Sequence, residues 1–143
     1  PELEQLKNLI KKYRLEHRAA LIMLLQPAAD YCNAFDIFVL SSIKEGLPYT
    51  LLEAMGASLP IVVTNVGGMP EAIQHGVSGF VVPPRNPKIL GTAIQTLLSD
   101  KKIAKAYGAA AKKRLEEKYT LEDMIKQTEM IYNDLSAVRK VSA

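Results

Sequence analysis

Apolar residues recur along this 143-residue chain with two different periods, and the alternation between them outlines its elements. Leu3, Leu6, Leu9, Ile10 and Tyr13 fall at the three- and four-residue spacing of one helix face. Residues 19–25 are then a continuous apolar run, which at that length reads as a strand buried on both faces. Residues 27–34 form a short helix candidate with Pro27 near its first turn. Asp36-Ile37-Phe38-Val39-Leu40 is a second buried strand, and Ile61-Val62-Val63-Thr64, after Pro60, is a third. Phe80-Val81-Val82 is a fourth, ended by Pro83-Pro84. Between these strands Pro48 opens a helix that runs to about Ala57, and Pro70 opens a short one after a Gly67-Gly68 turn. From Asn86 onward the pattern is helical. Ile89, Leu90, Ala93, Ile94, Leu97 and Leu98 make one stripe, and residues 100–118 make a second helix rich in alanine and lysine. A last helix, over about 120–139, carries Leu121, Met124, Ile125, Thr128, Ile131, Tyr132, Leu135 and Val138, with Thr120 as its N-cap.

Short apolar strands alternating with helices imply the α/β class: a Rossmann-like parallel sheet with helices on both faces and right-handed crossovers. No repeat, low-complexity tract or linker divides residues 1–143, so they read as one domain. In such sheets ligands bind beyond the carboxyl ends of the strands. That rule selects three loops: the one from Gln26 onward, the one from Ser41 to Leu47, and the one from Asn65 to Met69.

Composition narrows the function without naming it. The chain is 48% hydrophobic and 23% charged, with a net charge of +3. That balance tolerates an anionic ligand but is no nucleic-acid footprint. Lys101, Lys102, Lys105, Lys112, Lys113 and Arg114 are spread along a helical pattern and read as a solvated face. Cys32, the one cysteine, excludes an internal disulfide and a cysteine-rich zinc site, and points to a reducing, cytoplasmic setting. Beside Tyr31 in an apolar stretch, it reads as a buried inert thiol. His17 and His75 lack metal-ligand spacing and read as surface residues; no metal is expected. No apolar run reaches the length of about 18 residues that a membrane span needs. The chain opens on a charged helix pattern rather than a signal peptide.

The chemistry concentrates between Ser41 and Met55. Glu45 ends a loop leaving a strand, and Gly46 allows a ligand close to the backbone. Pro48 pre-sets the first helical turn, so the amides of Tyr49, Thr50 and Leu51 are expected as free donors for an anion such as a pyrophosphate. Glu53 lies in the second turn, and helical side chains lean toward the N-terminus, so its carboxylate can point back to the mouth of the site. Carboxylates accept from sugar hydroxyls and are poor partners for phosphates. The ligand layout that fits is hydroxyls at both ends and phosphate between, as in a nucleoside diphosphate sugar. Two plainer readings stand beside it. Thr50 and Glu53 have the spacing of a capping box, and Glu45 alone could be a surface acid.

Glu45 and Glu53, with seven residues between them, resemble the E-x7-E motif of the group 1 family of retaining glycosyltransferases, which have the GT-B fold. The flanking text is similar as well: Asp36-Ile37-Phe38-Val39-Leu40 before it, Glu53-Ala54-Met55 and Leu59-Pro60-Ile61-Val62 after it. Further matches are Thr64-Asn65-Val66-Gly67-Gly68-Met69-Pro70-Glu71, then Gly76, Gly79-Phe80 and Val82-Pro83-Pro84. The resemblance covers nearly the whole chain, from Pro1 to Leu135. It implies that Glu45 is the catalytic-site acid binding donor-sugar hydroxyls. The Gly46-Leu47 backbone would touch the sugar, and the amides near Thr50 and Leu51 would hold the distal phosphate. Glu53 would accept the ribose hydroxyls. Gly67 and Gly68 would keep the third loop close to the site, or simply form a tight turn before Pro70. Glu71 fits a helix-start charge. The implied reaction is transfer of a hexosyl group from a nucleotide-diphosphate sugar with retention, without a metal or other cofactor.

The chain also departs from the family pattern. The two strand–helix units that usually open this domain, with their arginine and lysine for the diphosphate and a glycine-rich loop, are not matched. Neither Lys44 nor Arg85 is assigned their task. Leu25-Gln26 stands where the family has a glycine near the nucleobase. The implied whole is a C-terminal donor-binding domain, incomplete at its N-terminal side and inactive without an N-terminal acceptor-binding domain. Its partners would be a nucleotide-sugar and that domain, not nucleic acid, with membrane contact only through parts outside this chain. The alternative is a non-catalytic nucleotide-sugar-binding or regulatory fragment, and a GT-B-like nucleotide-sugar epimerase ranks third.

Overall fold

The computed structural model describes residues 2–24 and 27–141, and the side chains of all of these but 28 and 134–141. Helix α1 spans Glu2–Lys12 and a 3-10 helix spans Ala28–Ala34. There follow β1 (Phe38–Leu40), α2 (Tyr49–Gly56), β2 (Ile61–Thr64), α3 (Met69–Ala72) and β3 (Phe80–Val82). Helices α4 (Pro87–Ser99), α5 (Lys101–Lys118) and α6 (Leu121–Val141) complete the chain. The strands form one parallel sheet in the order β1-β2-β3, with Phe38 opposite Ile61 and Val62 opposite Phe80.

β2 is central and buried on both faces, and its side chains sort by parity. Ile61 and Val63 join Leu51, Ala54 and Met55 of α2, Met69 and Ala72 of α3, and Ala111 of α5. Val62 faces the other way and joins Val82 of β3, Ala93 and Leu97 of α4, and Ala104 of α5. Helices therefore cover both faces, as the apolar pattern implies. Ile61, Val62 and Val63 are each 0% exposed, and burying each contributes about 1.5–3 kcal/mol. Gly108 lets α5 approach the turn after α2, because a Cβ there would stand 2.9 Å from the Ser58 carbonyl carbon.

The helix ends follow sequence chemistry. Asn86 caps α4 by accepting from the Ile89 amide at 3.1 Å, and Asp100 caps α5 by accepting from Lys102 and Ile103. Thr120 accepts from the Asp123 amide at 3.0 Å, as its assignment as N-cap requires.

Three expectations are corrected. The apolar run at 19–25 is no strand over its described part, 19–24, and Ile22, Met23 and Leu24 are 66%, 71% and 74% exposed. The run has no paired neighbour among the described residues: the ladder runs β1-β2-β3 and begins at Phe38, so no strand lies beside 19–24 to bury it. The second correction is Arg114. Lys112 and Lys113 are exposed, but Arg114 is half-buried. It donates through Nε to the Ala72 carbonyl at 2.8 Å and through Nη2 to the Glu71 carbonyl at 2.7 Å. With the Tyr119 hydroxyl, which donates to the same Glu71 carbonyl at 3.0 Å, it holds the carboxyl end of α3. The strand expected over 36–40 is also shorter, since ladder pairing begins at Phe38.

Candidate functional site

The loop between β1 and α2 is held from two sides. Thr64, at the carboxyl end of β2 and 2% exposed, donates its hydroxyl to the Ser42 carbonyl. Ser42 in turn donates its own hydroxyl to Glu45 Oε1 at 2.7 Å. From the loop after β2, the Gly68 amide donates to the Gly46 carbonyl at 2.7 Å. Gly67 stands at φ +54, and a Cβ on it would lie 2.6 Å from the Gly46 carbonyl oxygen. Both the backbone conformation and the close approach demand glycine there. The glycines form a turn, as one of the two readings has it, and the turn presses the third loop onto Glu45, Gly46 and Leu47.

The start of α2 differs in detail from the sequence reading. Pro48 is the N-cap residue, at φ −73 and ψ 134, with no side-chain cap bond, and Tyr49 is the first helical residue. The Thr50–Glu53 capping box therefore does not form, since Thr50 is already inside the helix. Leu51 is 0% exposed and belongs to the core. Its amide donates to the Pro48 carbonyl at 3.0 Å, so it is not the free donor expected. Tyr49 and Thr50, both exposed, supply the leading amides of the helix.

Glu53 is half-buried on α2, which packs against the 3-10 helix. Cys32 of that helix is buried, as its apolar surroundings imply. Burial, and then the negative charge of Glu53, push the Cys32 thiol above its ordinary range. The two glutamates thus have different neighbours: Glu45 lies beside the glycine turn, and Glu53 is on α2, the helix that packs against the 3-10 helix. Neither is lost in the core, since both are half-buried.

A cleft of about 240 Å³ opens where the strands end, lined by Ser41, Ile43, Thr64, Pro83, Arg85, Asn86, Pro87 and Leu90. A groove of about 550 Å³ runs between the start of α2 and the start of α6, with Leu47, Tyr49 and Leu52 facing Tyr119, Leu121 and Met124. Leu25-Gln26, expected at the nucleobase, lies outside the described residues. Among the described residues no group of three His, Cys, Asp or Glu could hold a metal ion, and no helix is long and apolar enough to cross a membrane. His17 and His75 are exposed, and His75 Nδ1 accepts from the Val81 amide at 3.1 Å. The contributions of Ser42 and Thr64 escape a reading of the sequence by motif. A serine three residues before an acid in a loop is the only local signal, and Thr64 reads simply as the last residue of a strand.

The family model described as glycosyl transferases, group 1, matches residues 1–114. The chain belongs to this family. Among relatives of the group 1 chain, N-acetyl-alpha-D-glucosaminyl L-malate synthase of Bacillus anthracis is 30% identical over 135 residues, spanning 94% of this chain and 35% of that protein. Sucrose synthase of Melioribacter roseus is 36% identical over 133 residues, spanning 83% of this chain and 17% of that protein. Among solved structures, sucrose-phosphate synthase from Thermosynechococcus elongatus superposes with a TM-score of 0.86 at 26% identity, covering 96% of this chain and 35% of that one. HepE from Anabaena, solved in complex with UDP-glucose, gives a TM-score of 0.82 at 24% identity, covering 94% of this chain and 36% of that one. The fold is that of GT-B glycosyltransferases. The chain spans about a third or less of the length of these relatives.

Proposed function

We propose that this chain is the donor-binding domain of a retaining hexosyltransferase that takes its sugar from a nucleotide-diphosphate donor. The observation carrying the reading is the Glu45 carboxylate, fixed by Ser42 at the carboxyl end of the sheet and backed by the Gly67-Gly68 turn. An acid held there accepts from donor-sugar hydroxyls, and the other oxygen remains for that purpose while Oε1 accepts the Ser42 hydrogen bond. The Gly46-Leu47 backbone lies against the sugar. The distal phosphate sits at the start of α2, on the amides of Tyr49 and Thr50, where the helix end favours negative charge. Leu51, named for that task on sequence grounds, supports it from the core. Glu53 accepts the ribose hydroxyls. Amides and basic side chains neutralise the leaving diphosphate without a metal. HepE from Anabaena, with the same fold, is a complex with UDP-glucose. The acceptor enters from an N-terminal domain of the same enzyme, and this part alone is inactive.

Calorimetric titration with UDP-, GDP- and ADP-sugars tests the reading. Heat is expected with one base class, and Glu53→Ala is expected to weaken that binding by about 1–3 kcal/mol through loss of a charge-assisted hydrogen bond. Silence with every donor would favour the non-catalytic alternative, and unchanged affinity in Glu53→Ala would take that residue out of the site.

A further inference from the structure

We propose that Ser42 is a positioning residue: it fixes the Glu45 carboxylate, and through it governs affinity for the sugar half of the donor. The inference about the sugar rests on the donor-binding reading above; the inference about Glu45 stands on geometry alone. The Ser42–Glu45 contact, at 2.7 Å, is a hydroxyl-to-carboxylate hydrogen bond of charge-assisted length. It would mean little if Ser42 itself were loose. Ser42 is tied instead, through its carbonyl, to the hydroxyl of Thr64. Thr64 is the buried last residue of the central strand, whose other three side chains are 0% exposed. An order imposed by the packed sheet is thus handed through two hydroxyls to one carboxylate oxygen. The backbone of the same loop is clamped independently by the Gly68–Gly46 bond. Removing the Ser42 hydroxyl therefore frees the Glu45 side chain while leaving the loop in place. With Oε1 occupied by Ser42, the other oxygen is presented in one direction, as recognition of a particular hydroxyl needs.

Two measurements on the full chain test this separately. Three-bond heteronuclear couplings about χ1 of Glu45 should report one rotamer in the parent and an average over several in Ser42→Ala, with Ser42→Thr restoring the single rotamer. Calorimetry should then be run with UDP-glucose, GDP-mannose and ADP-glucose, each against its nucleoside diphosphate. Ser42→Ala should lose about tenfold in affinity for the nucleotide-sugar and stay within about twofold for the diphosphate alone. Thr64→Val, which keeps the shape and removes the upstream hydroxyl, should move both readouts in the same direction by less. It also serves as the second variant if Ser42→Ala folds poorly. A Glu45 already averaged in the parent, or unaffected by Ser42→Ala, overturns the positioning role. Equal loss for sugar-nucleotide and diphosphate overturns the link to the sugar, since a merely structural serine would weaken both. A rotamer fixed by Ser42 in a chain that binds no donor leaves the positioning standing and sinks the donor reading instead.

Discussion

Two apolar runs in this chain have opposite fates. Ile61-Val62-Val63 is wholly buried, whereas Ile22-Met23-Leu24 is mostly exposed. Their compositions are alike, and each would satisfy the same rule for a strand buried on both faces. What separates them is neighbours. β2 has β1 on one side and β3 on the other, with helices above and below. The earlier run has no paired strand among the described residues. Hydrophobicity is a property of a segment, but burial is a property of an assembly, and a strand with paired neighbours on both sides is the one that receives it. The same contrast extends to the ends of the chain. No side chain of α1 is buried, and over residues 121–133 only Asp123 is even partly covered.

The sharpest way to break that comparison is a pair of substitutions. Ile61→Ala should cost about 3 kcal/mol, because it opens a cavity between the sheet and the helices α2, α3 and α5. Leu24→Ser should stay within about 0.5 kcal/mol of the parent, because it changes an exposed side chain. Urea unfolding of both variants is the measurement. A large loss in Leu24→Ser would mean that the run is packed in solution and that the neighbour argument is wrong.

A somewhat smaller effect is expected from Gly108→Ala. The added methyl would collide with the backbone of Ser58, which stands at φ +56 and has little room to yield. About 2 kcal/mol of overpacking penalty should appear as a lower urea midpoint with an unchanged slope. Gly91, on an exposed face of α4 with nothing within 4 Å of its would-be Cβ, supplies the control, and Gly91→Ala should stabilise by a few tenths up to about 1 kcal/mol.

The sequence carried more of the fold than of the side-chain network. Strands β2 and β3, both proline-opened helices and the Thr120 cap are legible because each has a local sequence signal. The Gly67-Gly68 turn was legible as well, because a glycine pair before a proline has few other uses. Arg114 was not. The buried stripe of α5 is Ala104, Gly108 and Ala111, and such small residues give almost no hydrophobic signal. With the stripe invisible, Arg114, three residues beyond Ala111 and on its flank, looked like one more solvated cation. Leu51 differs for another reason: a helix starting at Tyr49 leaves its amide without an i−4 partner, but the first turn tightens and closes on it with a bond from Leu51 to the Pro48 carbonyl. Arg114→Met keeps the aliphatic stem and removes both bonds to the end of α3. It should cost about 1.5 kcal/mol, measured by thermal or urea unfolding, as two carbonyls lose a charged donor. Arg114→Lys should recover only part, because an ammonium lacks the fork that reaches Glu71 and Ala72 together.

The smallest expected effect probes the other side of the site. Burial first, and the charge of Glu53 second, hold the Cys32 thiol above its ordinary value of 9.0. The thiolate is the reacting form, so Ellman's reagent should attack native Cys32 slowly at pH 8.5. Glu53→Gln removes the second cause and leaves the first. The thiol should then ionise at lower pH, and the reaction should accelerate several-fold without reaching the rate of an unfolded chain. The sign for stability follows from linkage. The folded thiol keeps its proton to higher pH than the unfolded one, so folding stability falls as pH rises through and above the ordinary thiol range. That fall should be shallower in Glu53→Gln. An unchanged rate in Glu53→Gln would mean that its carboxylate points away from the 3-10 helix. The wall of the site that runs from α2 to Cys32 would then have to be redrawn, while the wall built from Ser42, Glu45 and the glycine turn would stand untouched.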